Sequence, residues 1–315
     1  MSSISSVTLL GSGVLGGQIA WHSAFKGKNV VVYDIAEDAL THCREAHQQY
    51  AAIYAGSLGA SETDIAATHG RLTFTTDIAD AVRGADLVIE AVPEIPDVKT
   101  VVFKEIADLL PEHTLVATNS STLLPSTFAE ATGRPEKFCA LHFGNGIWAM
   151  NFAEIMAHAL TARSTLTQIT EFAIEIGMMP IPVRKEQNGY VVNTWTLALS
   201  NAAQTLVTNG ISTPEDVDRS FMKFGFPIGP FGMLDQVNMK TAFDILAYWG
   251  EVRDDRQMTA NAQWIKENLI DKGRHGAQSG AGYYTWPEPA FMAPDFLAIP
   301  DISKVPEIVS LLLPS

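Results

Sequence analysis

Up to about residue 184, short apolar runs alternate with longer mixed segments. Runs at 6–10, 29–34, 72–75, 86–91, 114–118, 137–143, 152–156 and 180–183 predict strands. The run from Ala85 to Val92 is nearly continuous, as expected of a strand covered on both faces. Helical segments between the runs imply parallel pairing through crossovers. The Ala- and Gln-rich stretch from Glu37 to Thr68 predicts two helices, the second opened by the capping-box pattern Ser61-x-x-Asp64. From about Lys185 the strand rhythm fades. Trp195, Leu199, Ala202 and Leu206 fall at i, i+4, i+7 and i+11, which predicts the buried face of a helix. Thr213-Pro214-Glu215-Asp216 reads as a helix start, and Phe226–Pro230 as a rigid turn. The Pro-rich C-terminal stretch is expected to lie over the surface. The expected fold is α/β: a mostly parallel sheet domain over 1–184, with a helical pair inserted at about 37–68, then an all-α domain over 185–315.

Between the first two predicted strands lies Gly11-Ser12-Gly13-Val14-Leu15-Gly16, followed by a helical stretch. Strand, G-x-G-x-x-G and helix, with Asp34 closing the second strand, form the dinucleotide-binding fingerprint of a Rossmann-type domain. Gly11 permits the tight turn, Gly13 lets a pyrophosphate approach the backbone, and Gly16 lets helix and strand pack closely. The backbone around Gly11, Gly13, Val14, Leu15 and Gly16 would meet the pyrophosphate at the positive end of the helix. Asp34 suits the ribose hydroxyls, and no Arg or Lys follows it to accept a 2′-phosphate, so NAD is expected rather than NADP.

Composition narrows the setting. The 315 residues suffice for two ordinary domains, and 47% hydrophobic content fills their cores. A net charge of −14 argues against nucleic acid and anionic membrane surfaces as partners. Cys43 and Cys139 suggest free buried thiols in a reducing cytoplasm. No signal-peptide pattern or membrane-spanning run is seen, and no metal site is expected.

A nicotinamide enzyme acting on an alcohol needs a base and donors for the reacting oxygen. His142 closes a predicted strand, where open α/β sheets place their ligands. Glu154, flanked by apolar residues on an expected neighbouring strand, is its natural partner, since an acid in such a run must be paired. His42, His47, His69, His113 and His275 read as surface residues. The polar cluster Thr118–Thr122 is either a set of substrate donors or a helix cap, and Asn193 is by itself a cap or hinge residue.

Together these positions resemble the L-3-hydroxyacyl-CoA dehydrogenase family, including 3-hydroxybutyryl-CoA dehydrogenases. The resemblance runs in order through the fingerprint and Asp34, Glu90–Glu94 with Lys99, Asn119–Leu123, His142-Phe143-x-Asn145 with Glu154, Gly189–Asn193, Gly229-Pro230-Phe231 with Asp235, and Ser279–Tyr284. It implies that His142 is the general acid or base and that Glu154 orients it. It implies further that Ser121 and Asn193 bind the substrate oxygens, and that Glu94, Lys99, Asn119, Ser121 and Asn145 lie near the nicotinamide half. A homodimer through the helical domain is implied as well. Several positions depart from the family. Its prolines and lysine after the catalytic His are missing from Gly144–Asn151, Thr194 and Ala281 stand where Arg is usual, and Ala277-Gln278 replaces a basic pair. The stretch 37–68 contains Arg44 and no lysine. Coenzyme A phosphates usually need such cations. Three readings stand open: a short-chain 3-hydroxyacyl-CoA substrate, a compact hydroxy compound without coenzyme A that Trp148 and Trp195 would enclose, and a non-catalytic NADH-binding or structural protein.

Overall fold

Eight strands join in one sheet in the computed structural model, which describes residues 4–312. They are β1 (Ser6–Leu10), β2 (Asn29–Tyr33), β3 (Leu72–Thr75), β4 (Leu87–Glu90), β5 (Leu115–Thr118), β6 (Phe138–Phe143), β7 (Phe152–Met156) and β8 (Met179–Val183). Their spatial order is β3-β2-β1-β4-β5-β6-β7-β8. Pairing is parallel throughout except between β6 and β7. Strand order reverses between β1 and β4, and an open α/β sheet binds ligands outside the carboxyl ends of its strands at such a point. All four residues of β4 and of β5 are buried, which accounts for their unbroken apolar runs.

Six helices complete the first compact unit, Met1–Thr194: α1 (Val14–Phe25), α2 (Glu37–Leu58), α3 (Glu62–Gly70), α4 (Ile78–Val82), α5 (Pro96–Ala107) and α6 (Arg163–Glu175). The α2–α3 pair is the expected insertion. Ser61 Oγ accepts the Asp64 N–H, and the Asp64 carboxylate accepts the Ser61 N–H at 2.9 Å, which closes the capping box. An aromatic cluster of Trp21, Tyr50 and Tyr54, with Trp148 against it, fastens α2 to α1. His47 belongs to this packing and is not a surface residue. It is 1% exposed, its Nε2 meets the Gly17 carbonyl at 2.9 Å, and its ring lies against Trp21. His42, His69 and His113 are exposed, and His275 is half-buried. Cys43 and Cys139 are free and buried.

The second unit, Trp195–Ser315, is helical: α7 (Val192–Thr208, whose first turn belongs to the first unit), α8 (Pro214–Met222), α9 (Pro230–Val237), α10 (Met239–Val252), α11 (Arg256–Asn268) and α12 (Val305–Leu312). Its core runs from Ala203 and Val207 to Phe231, Leu246, Ile265 and Tyr284. Two buried carboxylates stitch the glycine-rich segments together. Asp218 accepts the N–H groups of Phe231 and Gly232 and the Tyr284 hydroxyl. Asp235 accepts the N–H groups of Tyr283 and Tyr284 and the Trp286 indole. A Cβ on Gly282 would lie 2.0 Å from Asp235 Oδ1, so that glycine is needed for packing. On α7 the buried residues are Ala203, Gln204 and Val207, while Trp195 and Leu206 are exposed. The predicted face is therefore rotated by about one residue. The polar Gln204 turns inward because it accepts the Tyr283 hydroxyl, an exchange that hydropathy cannot register. In the C-terminal stretch, Phe291 and Phe296 reach the core, whereas no described residue of α12 is buried. No described helix is long and apolar enough to cross a membrane.

Candidate active site

The β1–α1 turn sits at the switch point. Gly11 has φ +105°, and a Cβ there would lie 2.6 Å from the Ala91 carbonyl oxygen. A Cβ on Gly16 would lie 2.1 Å from the Gly11 carbonyl oxygen. Both glycines are thus demanded by backbone packing. Gly13 differs: a Cβ there meets no described atom within 4 Å. It caps α1 without a side-chain hydrogen bond, so the first-turn amides face an open backbone surface suited to a pyrophosphate. Asp34 Oδ2 accepts the Ser12 N–H at 2.9 Å and the Ser12 hydroxyl at 2.8 Å, which fixes the carboxylate beside the turn. Open turn, uncapped helix end and fixed acid fit NAD.

Farther along the sheet, antiparallel register sets His142 on β6 opposite Glu154 on β7. The spacing of twelve in sequence becomes direct pairing in space. His142 Nδ1 lies 2.8 Å from Glu154 Oε2, with the residues 4% and 0% exposed. The other carboxylate oxygen, Oε1, accepts the Val191 and Val192 N–H groups at 2.8 and 2.9 Å. Glu154 therefore ties the imidazole to the first turn of α7, where Asn193 follows. With Nδ1 held by the carboxylate, Nε2 is the ring nitrogen left for chemistry.

Asn193 Nδ2 donates to the Ser121 carbonyl at 3.2 Å, which brings the two expected substrate binders together. The loop carrying Ser121 is folded around one carboxylate oxygen. Glu94 Oε1 accepts the Ser120 hydroxyl (2.5 Å), the Ser121 N–H (3.0 Å), the Thr122 N–H (2.9 Å) and the Thr122 hydroxyl (2.9 Å). Burial alone would raise the Glu94 carboxyl, but the Lys99 ammonium and these bonds outweigh it and hold it below its ordinary value. Asn119 Oδ1 accepts the Phe143 N–H at 2.9 Å, fixing the residue after His142. Asn145 is exposed.

Lys99, expected beside the nicotinamide ribose, is 1% exposed and directs its ammonium to Glu90 (2.6 Å), Glu94 (3.1 Å) and the Val92 carbonyl (3.2 Å). Trp148 packs on Tyr50, with ring centroids 5.4 Å apart, and belongs to the α1–α2 cluster. Trp195 is 50% exposed. Two residues were not singled out from sequence. Tyr190 packs tilted against His142 (5.0 Å between centroids) with φ +52°. Gln18, on α1, accepts the Gly146 N–H at 2.8 Å and steadies the loop after β6. A left-handed non-glycine residue leaves no compositional trace, although the Gly189 before it marks an irregular helix entry.

The sheet and its glycine turn define a dinucleotide-binding domain of the Rossmann type. Comparison with known proteins narrows the class. Residues 6–187 match the model for the 3-hydroxyacyl-CoA dehydrogenase NAD binding domain, and residues 189–286 match that for the 3-hydroxyacyl-CoA dehydrogenase C-terminal domain. The chain belongs to the 3-hydroxyacyl-CoA dehydrogenase family. It is similar to human mitochondrial hydroxyacyl-coenzyme A dehydrogenase (29% identity, 89% of this chain, 90% of that protein). It is similar also to the solved structure of a diketoreductase described for dual catalysis of dicarbonyl compounds (42% identity, TM-score 0.84, 91% of this chain and 100% of that one). A third likeness is to (S)-3-hydroxybutyryl-CoA dehydrogenase of Ralstonia eutropha (27% identity, TM-score 0.78, 91% and 100%).

Proposed function

We propose that the protein interconverts a short 3-hydroxyacyl compound and its 3-keto counterpart, with a coenzyme A thioester as the first substrate class. The His142–Glu154 pair, anchored through Val191 and Val192 to the segment bearing Asn193, carries this reading. In the oxidative direction His142 Nε2 accepts the proton of the C3 hydroxyl, and in reduction it returns that proton. Glu154 keeps the other nitrogen protonated and stabilises the imidazolium. Ser121 and Asn193 hold the C3 oxygen or the acyl carbonyl. Bound NAD supplies the hydride acceptor. The proposal includes a homodimer, to be checked by sedimentation.

A second reading keeps this chemistry but replaces the thioester with a small dicarbonyl or hydroxy compound. Arg44 favours it. As the one Lys or Arg between Glu37 and Gly70, it is already paired with Glu37 at 3.0 Å and stacked on Phe74. The 42% identity to a diketoreductase points the same way. An NADH-oxidation assay comparing acetoacetyl-CoA with free 3-keto acids and diketo esters separates the two. Turnover of the thioester at low micromolar concentration establishes the first reading. Turnover confined to the compounds without coenzyme A establishes the second.

A further inference from the structure

His142 and Glu154 stand on one antiparallel hairpin, β6 and β7, joined by residues 144–151. A short hairpin turn fixes strand register by itself, whereas a longer loop needs other ties. Here those ties gather around Gly146, which has φ +73°. Its carbonyl accepts the Ala149 and Met150 N–H groups, both at 2.8 Å, and so closes the turn. Its own N–H leaves the loop and donates to Gln18 Oε1 on α1 at 2.8 Å. The next residue, Ile147, is fully buried in the core around the sheet. Trp148 then lies against Tyr50 and Tyr54 of α2, with ring centroids 5.4 and 6.2 Å apart.

Gln18 stands one turn along α1 from Val14, at the helix end whose open glycine turn suits a pyrophosphate. It is 6% exposed, and a buried amide side chain is kept in place by the bond it makes. We propose that Gln18 is a positioning residue: by accepting the Gly146 N–H, it holds the hairpin of His142 and Glu154 at a fixed place relative to the helix that receives the cofactor. Base and cofactor are thereby referred to one rigid element, and a reaction that moves a proton and a hydride together depends on that spacing. The inference rests on the proposed function for the role of His142, but the tie from Gln18 to Gly146 is independent of the substrate.

The test combines amide hydrogen exchange with kinetics in Gln18→Met and Gln18→Glu. Met keeps the length of the side chain and removes the acceptor, while Glu keeps an acceptor oxygen at the same reach. In Gln18→Met, exchange at Gly146 should speed by about tenfold or more. Turnover at saturating NADH should fall by about tenfold while the NADH Kd stays within about threefold. Gln18→Glu should return exchange at Gly146 to within about threefold of the parent. Should Gln18→Met fail to fold, Gln18→Asn, which withdraws the oxygen by one methylene, takes its place. Unchanged exchange in Gln18→Met, or equally fast exchange in Gln18→Glu, overturns the tie. Faster exchange with unchanged turnover reduces Gln18 to packing, and a loss carried by the NADH Kd alone makes it a direct cofactor contact; either overturns the positioning role. Exchange at Gly146 needs no substrate, so it stays readable even if His142→Gln shows that the proton goes elsewhere.

Discussion

At the scale of single residues, the site separates chemistry from support. Replacing His142 by Gln removes the proton acceptor. Replacing Glu154 by Gln keeps an acceptor for Val191 and Val192 but removes the charge beside the imidazole. Each change should cut turnover by at least about 100-fold with NADH binding retained. Near-normal turnover of His142→Gln in stopped-flow assays would show that the proton goes elsewhere. Tyr190 poses the opposite case. Its ring is 1% exposed, and its hydroxyl has no hydrogen-bond partner among the described residues. Burial drives that hydroxyl far above the ordinary phenol range, so it stays neutral and unsatisfied. Tyr190→Phe keeps the contact with His142 and removes an unpaired polar atom. It should raise stability by about 1 kcal/mol in urea denaturation and leave turnover unchanged. A destabilised Tyr190→Phe would mean that a buried water serves the hydroxyl.

Among the elements, legibility followed covering. Strands clad on both faces, such as β4 and β5, show as apolar runs and were placed within a residue or so. The capping box of α3 was readable because its two partners lie three residues apart. The buried face of α7 and the burial of His47 were not, because each depends on a distant acceptor or donor, Gln204 with Tyr283 and His47 with the Gly17 carbonyl. In the site, His142 and Glu154 were legible from strand ends and unpaired charge, whereas the loop around Glu94 is a tertiary fact. The glycine turn offers an element-scale test in which neighbouring glycines do different work. Gly11→Ala forces a Cβ against the Ala91 carbonyl at φ +105° and should cost about 2 kcal/mol or more. Gly13→Ala, with φ −61° and free space, should fold as well as the parent yet bind NADH about tenfold more weakly or worse. Thermal denaturation beside fluorescence titration reads both. Equal NADH affinity in Gly13→Ala and the parent would move the pyrophosphate away from this turn.

For the molecule as a whole, net charge and buried histidine make opposite claims about mild acid. A chain of net charge −14 loses self-repulsion as pH falls, which favours the folded state slightly at each exposed group. Against this stand His22 and His47. His22 bridges the Tyr54 hydroxyl (2.5 Å) and the Ile176 carbonyl (2.7 Å), and His47 holds the Gly17 carbonyl. Burial lowers each from 6.5 to about 4, against the pull of those carbonyls. Both are therefore neutral in the folded protein, while the unfolded chain protonates them near pH 6.5. Between those limits the unfolded state binds more protons, so stability is full above pH 6.5 and is lost as pH falls towards 4. Each histidine accounts for roughly 3 kcal/mol over that window. Buried Asp218 and Asp235, raised by burial, lean the other way, because their folded forms take up protons more readily. Exposed carboxylates contribute only tenths of a kcal/mol apiece by comparison, on the order of a surface ion pair. The histidines should prevail, and a total stability of about 5–15 kcal/mol leaves little reserve against them. Urea denaturation at pH 7 and pH 5 should show the parent weakened in acid, and His22→Gln with His47→Gln should flatten that slope even if both lower stability at pH 7. A slope unchanged in the double variant would shift the acid sensitivity from the α1–α2 packing to the carboxylates.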